Sequence, residues 1–267
     1  GCGKRLAPRG ENVEMMDSIR AVAPKCELAV VMPVYNEEGC IGDVLSSWRS
    51  VLDKCGIDFV MLVFNDGSTD RTGEMLEAFA QDERIHVFHS ANRGHGPTIL
   101  DGYRRAVSLA EWIFQCDSDD EMPTDSFGSL WEIRGQADAV FGCRENRRQT
   151  LQRKIITLIS RLTVSLFFGK GIRDVNTPYR LMRASVLERI LEHIPADTFA
   201  PNLVVSGGLC RVHAKVASVP VPARPRRSGQ VSMVRWELWK MSIQSFHQTV
   251  RCSRSMRHLG RADNTGR

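Results

Sequence analysis

Short apolar runs rich in β-branched residues alternate with helix-length amphipathic stretches through the first half of this chain. The runs at 28–34, 59–64, 85–88, 112–115 and 139–141 have the length and the Val/Ile/Phe content of strands covered on both faces. Between them the spacing of apolar positions predicts helices near 38–54, 70–81, 97–110 and 124–134. Strand and helix in repeated alternation predict an α/β fold with a mostly parallel central sheet, whose ligands gather beyond the carboxyl ends of the strands. After about residue 143 the pattern changes to a long apolar stretch at 150–168, then helices near 183–193 and 201–213 and a short strand over 215–219. Pro220, Pro222 and Pro225 are expected to break that strand into a loop. With no internal repeat or low-complexity tract, this later part reads as an acceptor-facing lobe of the same domain.

The polar residues that interrupt this pattern fall at the predicted strand ends. Tyr35-Asn36-Glu37 follows the first strand, Asn65-Asp66-Gly67-Ser68 the second and Asp117-Ser118-Asp119 the fourth, so three strand ends are expected to converge on one site. In Asp117-Ser118-Asp119-Asp120-Glu121, carboxylates two residues apart reach a common point beyond the sheet, and their mutual repulsion calls for a cation. Hard oxygen ligands select Mg²⁺ or Mn²⁺. A solvated acidic turn with Asp120 or Asp125 capping the next helix is the competing reading. Gly67 permits close backbone approach, and Asp70 reads best as a helix N-cap. Asn92-Arg93-Gly94-His95-Gly96 is a glycine-rich loop before a helix, able to cradle phosphate or admit a sugar, with His95 either orienting an oxygen or simply exposed.

Composition narrows the context. The 267 residues suffice for one large α/β domain. The net charge of +5 is concentrated at the end: from Arg224 onward ten Lys/Arg stand against two acids. Such a segment is either a solvated surface or one drawn to anionic lipid, and without interleaved aromatics or a known motif no nucleic-acid partner is expected. The eight cysteines are scattered, with no zinc-ligand spacing, and read as reduced thiols of a cytoplasmic protein. No run of eighteen apolar residues occurs, and Gly1-Cys2-Gly3-Lys4-Arg5 lacks the features of a signal peptide, so residues 1–26 are taken as a leader of unassigned role.

Taken in order, M-P-V-Y-N-E-E (32–38), N-D-G-S-T-D (65–70), N-R-G-H-G-P (92–97), D-S-D-D-E-M-P (117–123), G-C-R (142–144) and R-x-x-G (226–229) resemble one family closely. They look like the inverting family-two glycosyltransferases of GT-A fold, the Rossmann-like nucleotide-diphospho-sugar transferases, and among them the dolichol- or polyprenyl-phosphate sugar synthases. The resemblance spans about residues 27–232 and leaves 233–267 as an amphipathic and basic segment.

It implies an enzyme that moves a sugar from a GDP- or UDP-linked donor to a lipid phosphate, at the cytoplasmic face of a membrane to which it is peripherally attached. On the donor side Pro33, Tyr35 and Glu37 would contact the nucleotide, Asn65 and Asp66 its base or ribose, and Asp117, Ser118 and Asp119 its diphosphate. Asp117 and Asp119 would bind Mg²⁺ or Mn²⁺, with Glu121 as a third ligand, and Asp119, Arg144 and Arg226 would form the catalytic set, the arginines clamping phosphates. Arg153, Asp174 and Arg180 would meet the lipid phosphate, and 150–168 is then either an interfacial helix, with Leu158, Leu162, Leu166 and Phe167 toward lipid, or a core helix. Because a phosphate acceptor is already anionic, no catalytic base is expected.

This chain departs from the family pattern in three places. Asn65 stands where an Asp is usual, Gly229-Gln-Val-Ser232-Met233 lacks the lysine of the usual R-x-x-G-x-S-K closure, and Pro97 sits where a small residue is common. The alternatives are a transferase of the same fold acting on a glycan or small-molecule hydroxyl, and a non-catalytic protein that binds nucleotide sugars.

Overall fold

In the computed structural model, residues 25–145, 151–169, 172, 175–222 and 235–259 are described, with the backbone alone at 145, 151–157 and 235–243. The strands are β1 Cys26–Val34, β2 Phe59–Asp66, β3 Ile85–Ser90, β4 Ala110–Gln115, β5 Ala139–Glu145, β6 Arg180–Arg183 and β7 Val216–Pro222. The α-helices are α1 Ile41–Lys54, α2 Thr72–Phe79, α3 His95–Ala106, α4 Phe127–Glu132, α5 Leu151–Phe167, α6 Ala184–Leu191, α7 Pro201–Arg211 and α8 Arg235–Ser255.

The strands form one seven-stranded sheet in the order β3-β2-β1-β4-β6-β5-β7. Parallel pairing joins β1 to β2 and β4, β2 to β3 and β5 to β7, whereas β6 runs antiparallel to both neighbours, β4 and β5. The mostly parallel α/β sheet expected from the alternation is therefore present. Successive residues of β1 explain its uniformly apolar sequence. Ala29 and Val31 enter the core beneath α3, α6 and α7, while Leu28, Val30 and Met32 enter the core beneath α1, α2 and α4. With both faces covered, no position of this strand is left for a polar side chain.

Two features differ from the sequence expectation. The strand β6, Arg-Leu-Met-Arg, was not anticipated: four residues without period-two alternation carry no strand signal, and the sheet on either side imposes the conformation. Pro220 does not end β7, which runs on to Pro222, because it is an edge strand and pairs only with β5, where a missing N–H disturbs no second ladder.

Arg180, assigned by resemblance to the acceptor side, opens β6 opposite Gln115 and Phe141 and is 0% exposed. Its guanidinium donates to the carbonyls of Val175, Thr177 and Asn202 and stacks 4.5 Å above the Phe141 ring. The side chain thus faces the interior, where it ties the 175–177 turn to α7, rather than an acceptor. The apolar stretch forms α5, with Leu158, Ile159, Leu162 and Leu166 exposed and Val164 and Phe168 buried on the other side. Phe167, expected among the lipid-facing residues, instead packs against the core, its ring 5.7 Å from Phe246 of α8. No helix among the described residues is long and apolar enough to cross a membrane.

Replacing Arg180 by Met keeps apolar volume but removes the guanidinium from three buried carbonyls, of which those of Val175 and Asn202 keep the Ser206 hydroxyl. Arg180→Met is expected to lower stability by about 3 kcal/mol, measured as a shift of the urea midpoint at unchanged m-value.

Candidate active site

The chain leaves β1 toward β2 and β3 on one side of the sheet and then crosses to β4 on the other, which opens a crevice at the carboxyl ends of β1 and β4. The loop after β1 turns at Asn36, whose φ of 53° is in the left-handed region tolerated by asparagine. Its N–H donates to Ser68 Oγ at 3.0 Å, and its Oδ1 accepts the Thr69 N–H at 2.7 Å. Next to it the Glu37 N–H donates to Thr72 Oγ1 at 2.8 Å, and the Glu38 N–H to Asp70 Oδ2 at 3.2 Å. The loops that follow β1 and β2 are thereby sewn together.

Asp70 does this from just outside α2 rather than as its N-cap. Arg71 occupies the cap position, and Asp70 accepts the Thr72 N–H at 3.0 Å while it holds Glu38. Burial acts to raise the Asp70 pKa, but hydrogen bonds from Thr72 and Glu38 outweigh it and hold the carboxyl below its ordinary value.

Asp66 is buried, and both of its oxygens are engaged. Oδ1 accepts the Arg93 N–H at 2.8 Å and Oδ2 the Gly94 N–H at 2.9 Å, so the carboxylate grips the glycine-rich loop by its backbone. Lone pairs remain for a ribose hydroxyl. Gly67 permits this approach: at φ +73° a Cβ would lie 2.6 Å from the Asn92 nitrogen. Asn65, also buried, accepts the Ser68 N–H and meets His89. Tyr35 is 46% exposed over the crevice side of β1, whereas Pro33 and Glu37 are buried.

Across the crevice, the turn after β4 presents Asp117, Ser118 and Asp119. His95, the first residue of α3, places Nε2 3.8 Å from Asp117 Oδ1, while Asp119 is 3% exposed and its Oδ1 accepts the Glu121 N–H at 3.1 Å. Asp120 takes the left-handed φ of 54° that this tight turn requires, and neither it nor Asp125 caps α4, whose N-cap is Ser126. Cys40 Sγ lies 3.3 Å from Glu37 Oε2 and 3.4 Å from the Ser118 carbonyl, tying the start of α1 to the acidic turn. Below the turn, burial pushes the Cys116 thiol well up, with Asp117 and Asp119 adding to the effect.

Glu121 does not join Asp117 and Asp119 as a third ligand here. Its carboxylate is 3.4 Å from Arg144 Nη2, and both side chains are largely buried. Among the described residues no three His, Cys, Asp or Glu side chains are gathered into a metal-binding group. The donor set still fits a hard divalent ion: two carboxylates at one turn suffice for Mg²⁺ or Mn²⁺, which keep waters and share their remaining positions with substrate phosphates. Arg144 is the last but one residue of β5, within reach of the acidic turn through Glu121. Arg226 and Asp174 lie outside the described residues, and Arg153 falls in α5 where only the backbone is described.

The family follows from comparison with known proteins. Residues 29–191 match the model of Glycosyl transferase family 2. The chain belongs to that family. Among its curated relatives, the undecaprenyl-phosphate 4-deoxy-4-formamido-L-arabinose transferase of Pseudomonas paraeruginosa is 29% identical over 188 residues, 69% of this chain and 54% of that protein. The transferase of the same name from Pectobacterium carotovorum is 28% identical over 193 residues, 71% of this chain and 57% of that protein. The chain thus spans little more than half the length of these relatives. Among solved structures, glucosyl-3-phosphoglycerate synthase from Mycobacterium tuberculosis, in complex with Mn²⁺, UDP and phosphoglyceric acid, superposes with a TM-score of 0.60 at 18% identity, covering 90% of this chain and 82% of that one. TarS of S. aureus gives 0.54 at 15% identity, covering 90% and 92%. The GT-A fold expected from the motifs is the fold found.

The sequence motifs named Asn36, Ser68 and Asp70 as polar loop residues but not their hydrogen bonds to one another, and they gave no role to Thr72 or Cys40. The only available signal was the spacing of short hydrogen-bonding side chains in two strand-end loops. A carboxyl with a lowered pKa stabilises the fold at pH values above its unfolded value, and that stabilisation is lost as pH falls through the folded value. Asp70→Asn should therefore be less stable than wild type at neutral pH, and thermal melts taken below about pH 4 should bring the two together.

Proposed function

We propose that this chain is an inverting glycosyltransferase that passes a sugar from a nucleotide-sugar donor to a polyprenyl phosphate at a membrane surface, with Mg²⁺ or Mn²⁺ as cofactor. The observation that carries the reading is that Cys40, after β1, and His95, after β3, meet the Asp117-Ser118-Asp119 turn after β4 at the switch point of a family-two fold. Relatives named as undecaprenyl-phosphate transferases support the lipid acceptor. The solved neighbour with Mn²⁺ and UDP is consistent with a divalent ion and a nucleoside-diphosphate-linked donor, GDP- or UDP-linked.

In this mechanism Asp117 and Asp119 hold the ion, with Ser118 beside them, and Pro33, Tyr35, Glu37, Asn65 and Asp66 form the nucleotide side of the crevice. When bound, the ion offsets the charge that builds on the departing nucleoside diphosphate. An oxygen of the lipid phosphate bonds to the anomeric carbon as the bond from that carbon to the diphosphate breaks, which inverts the configuration. The acceptor carries no proton to be removed at the attacking oxygen, so the protein's task is orientation and charge screening, assigned to Arg144 and Arg226 with Arg153 and Asp174 on the acceptor side. Glu121, as a third ligand, would have to exchange Arg144 for the ion, which would release that arginine toward phosphate.

The membrane surface meets α5. Leu158, Leu162 and Leu166 recur at four-residue spacing, with Leu166 79% exposed, and Ile159 stands beside them. This stripe, with the basic C-terminal segment, supports peripheral attachment at the cytoplasmic face of a membrane.

Asp119→Ala is expected to reduce transfer of labelled sugar from a UDP-sugar into the solvent-extractable lipid fraction by at least about a thousandfold, and chelation of the wild type to do the same. Label that accumulates in a water-soluble product would instead establish a hydroxyl acceptor. Leu162→Asp combined with Leu166→Asp should lower cosedimentation with vesicles containing anionic lipid by more than about tenfold, with UDP binding unchanged.

A further inference from the structure

Asn65 is held from two sides. Its Oδ1 accepts the Ser68 N–H at 3.0 Å, and a main-chain N–H is a donor in every protonation state, so the carboxamide oxygen must face Ser68 and its nitrogen must face away. That nitrogen lies 3.0 Å from Nδ1 of His89, which stands opposite Asn65 on the neighbouring strand β3. An amide NH₂ only donates, so Nδ1 accepts and carries no proton. The ring proton then sits on Nε2, which is 2.8 Å from Glu77 Oε1 on α2. Gly73 of α2 makes room for the pair: a Cβ there would meet Asn65 Nδ2 at 3.3 Å and His89 Cε1 at 3.9 Å. One main-chain N–H thereby fixes the amide, the histidine tautomer and the acceptor of its proton.

We infer that His89 is a positioning residue for nucleobase selection, locking the Asn65 carboxamide so that one acceptor and one donor remain in fixed order for the base of the donor. The inference rests on the reading of the crevice as a nucleotide-sugar site. Uracil presents an N–H flanked by a carbonyl on each side, so it pairs with a locked amide whichever way the amide faces. Cytosine and guanine present their donors and acceptors in one order only and are matched by a single amide orientation. A locked asparagine at the end of β2 therefore accepts uracil and rejects whichever of cytosine and guanine has the opposite order, and an amide free to flip loses that discrimination. A carboxylate at this position has acceptors alone and cannot donate to His89 Nδ1.

The test uses the full chain with Mn²⁺ and measures binding of UDP, CDP and GDP by titration calorimetry. Wild type should bind UDP at least about tenfold more tightly than one of CDP and GDP. His89→Leu should weaken UDP about tenfold and narrow the ratio, whereas His89→Asn, whose oxygen takes the place of Nδ1, should retain most of both. Imidazole nitrogen shifts of the wild type should report a bare Nδ1 and a protonated Nε2 for His89, a readout independent of whether the variants fold. A proton on Nδ1, or a His89→Leu variant whose UDP, CDP and GDP affinities are all unchanged or fall in equal proportion, overturns the inference and leaves the donor site standing. Wild type that binds none of the three nucleotides overturns the donor-site reading and this inference together.

Discussion

Where a parallel sheet ends, the main-chain N–H groups of the departing loops have no ladder to join, and in this protein side-chain oxygens take them. Asn36 and Asp70 accept from the loops after β2 and β1, and Asp66 accepts two N–H groups of the loop after β3. Each acceptor reaches from one strand end to the loop of another. The crevice wall is consequently a set of cross-loop bonds, and its shape is fixed before any ligand arrives. Preorganised groups of this kind lose little freedom when substrate binds, which suits the proposed transfer, one that depends on orientation more than on proton transfer.

The other side of the crevice is organised by charge. Asp117, Asp119 and Glu121 lie within one turn, and the fold supplies Arg144 against Glu121 and His95 near Asp117. Three anions in a largely buried turn are tolerated only with such partners or with a cation. The Glu121–Arg144 pair and a metal shared with a diphosphate are thus alternative ways of neutralising the same charge. On the proposed mechanism this makes the position of Arg144 responsive to whether the donor is bound.

Much of this was legible in the sequence for a simple reason. A strand buried on both faces has to be apolar throughout, so every polar residue at its end stands out, and the three strand-end motifs marked the crevice. What stayed hidden was either non-local or imposed by the sheet. The four residues of β6 have no pattern of their own, and the burial of Arg180 depends on carbonyls of Val175, Thr177 and Asn202 that only the folded chain brings together. The pairing of Asn65 with His89 requires β2 and β3 to be in register, which neither residue's neighbours announce. Pro220 misled because a proline's effect on a strand depends on whether its N–H side faces a neighbour, and edge position is a property of the sheet.

The same geometry bears on the proposed lipid-phosphate acceptor. Arg144 lies one residue before the end of β5, and α5 begins at Leu151, seven residues further along the chain, a reach of at most about 25 Å. The exposed leucine stripe of α5 and the arginine proposed to orient phosphate are therefore tethered to one another by the chain itself. A lipid acceptor places its phosphate at the level of the headgroups while its tail stays in hydrocarbon, so a helix resting in the interface would bring the attacking oxygen toward β5 without the chain having to extract the lipid. A soluble hydroxyl acceptor would gain nothing from the stripe, and four exposed apolar side chains on one helix would then be a standing cost in solubility.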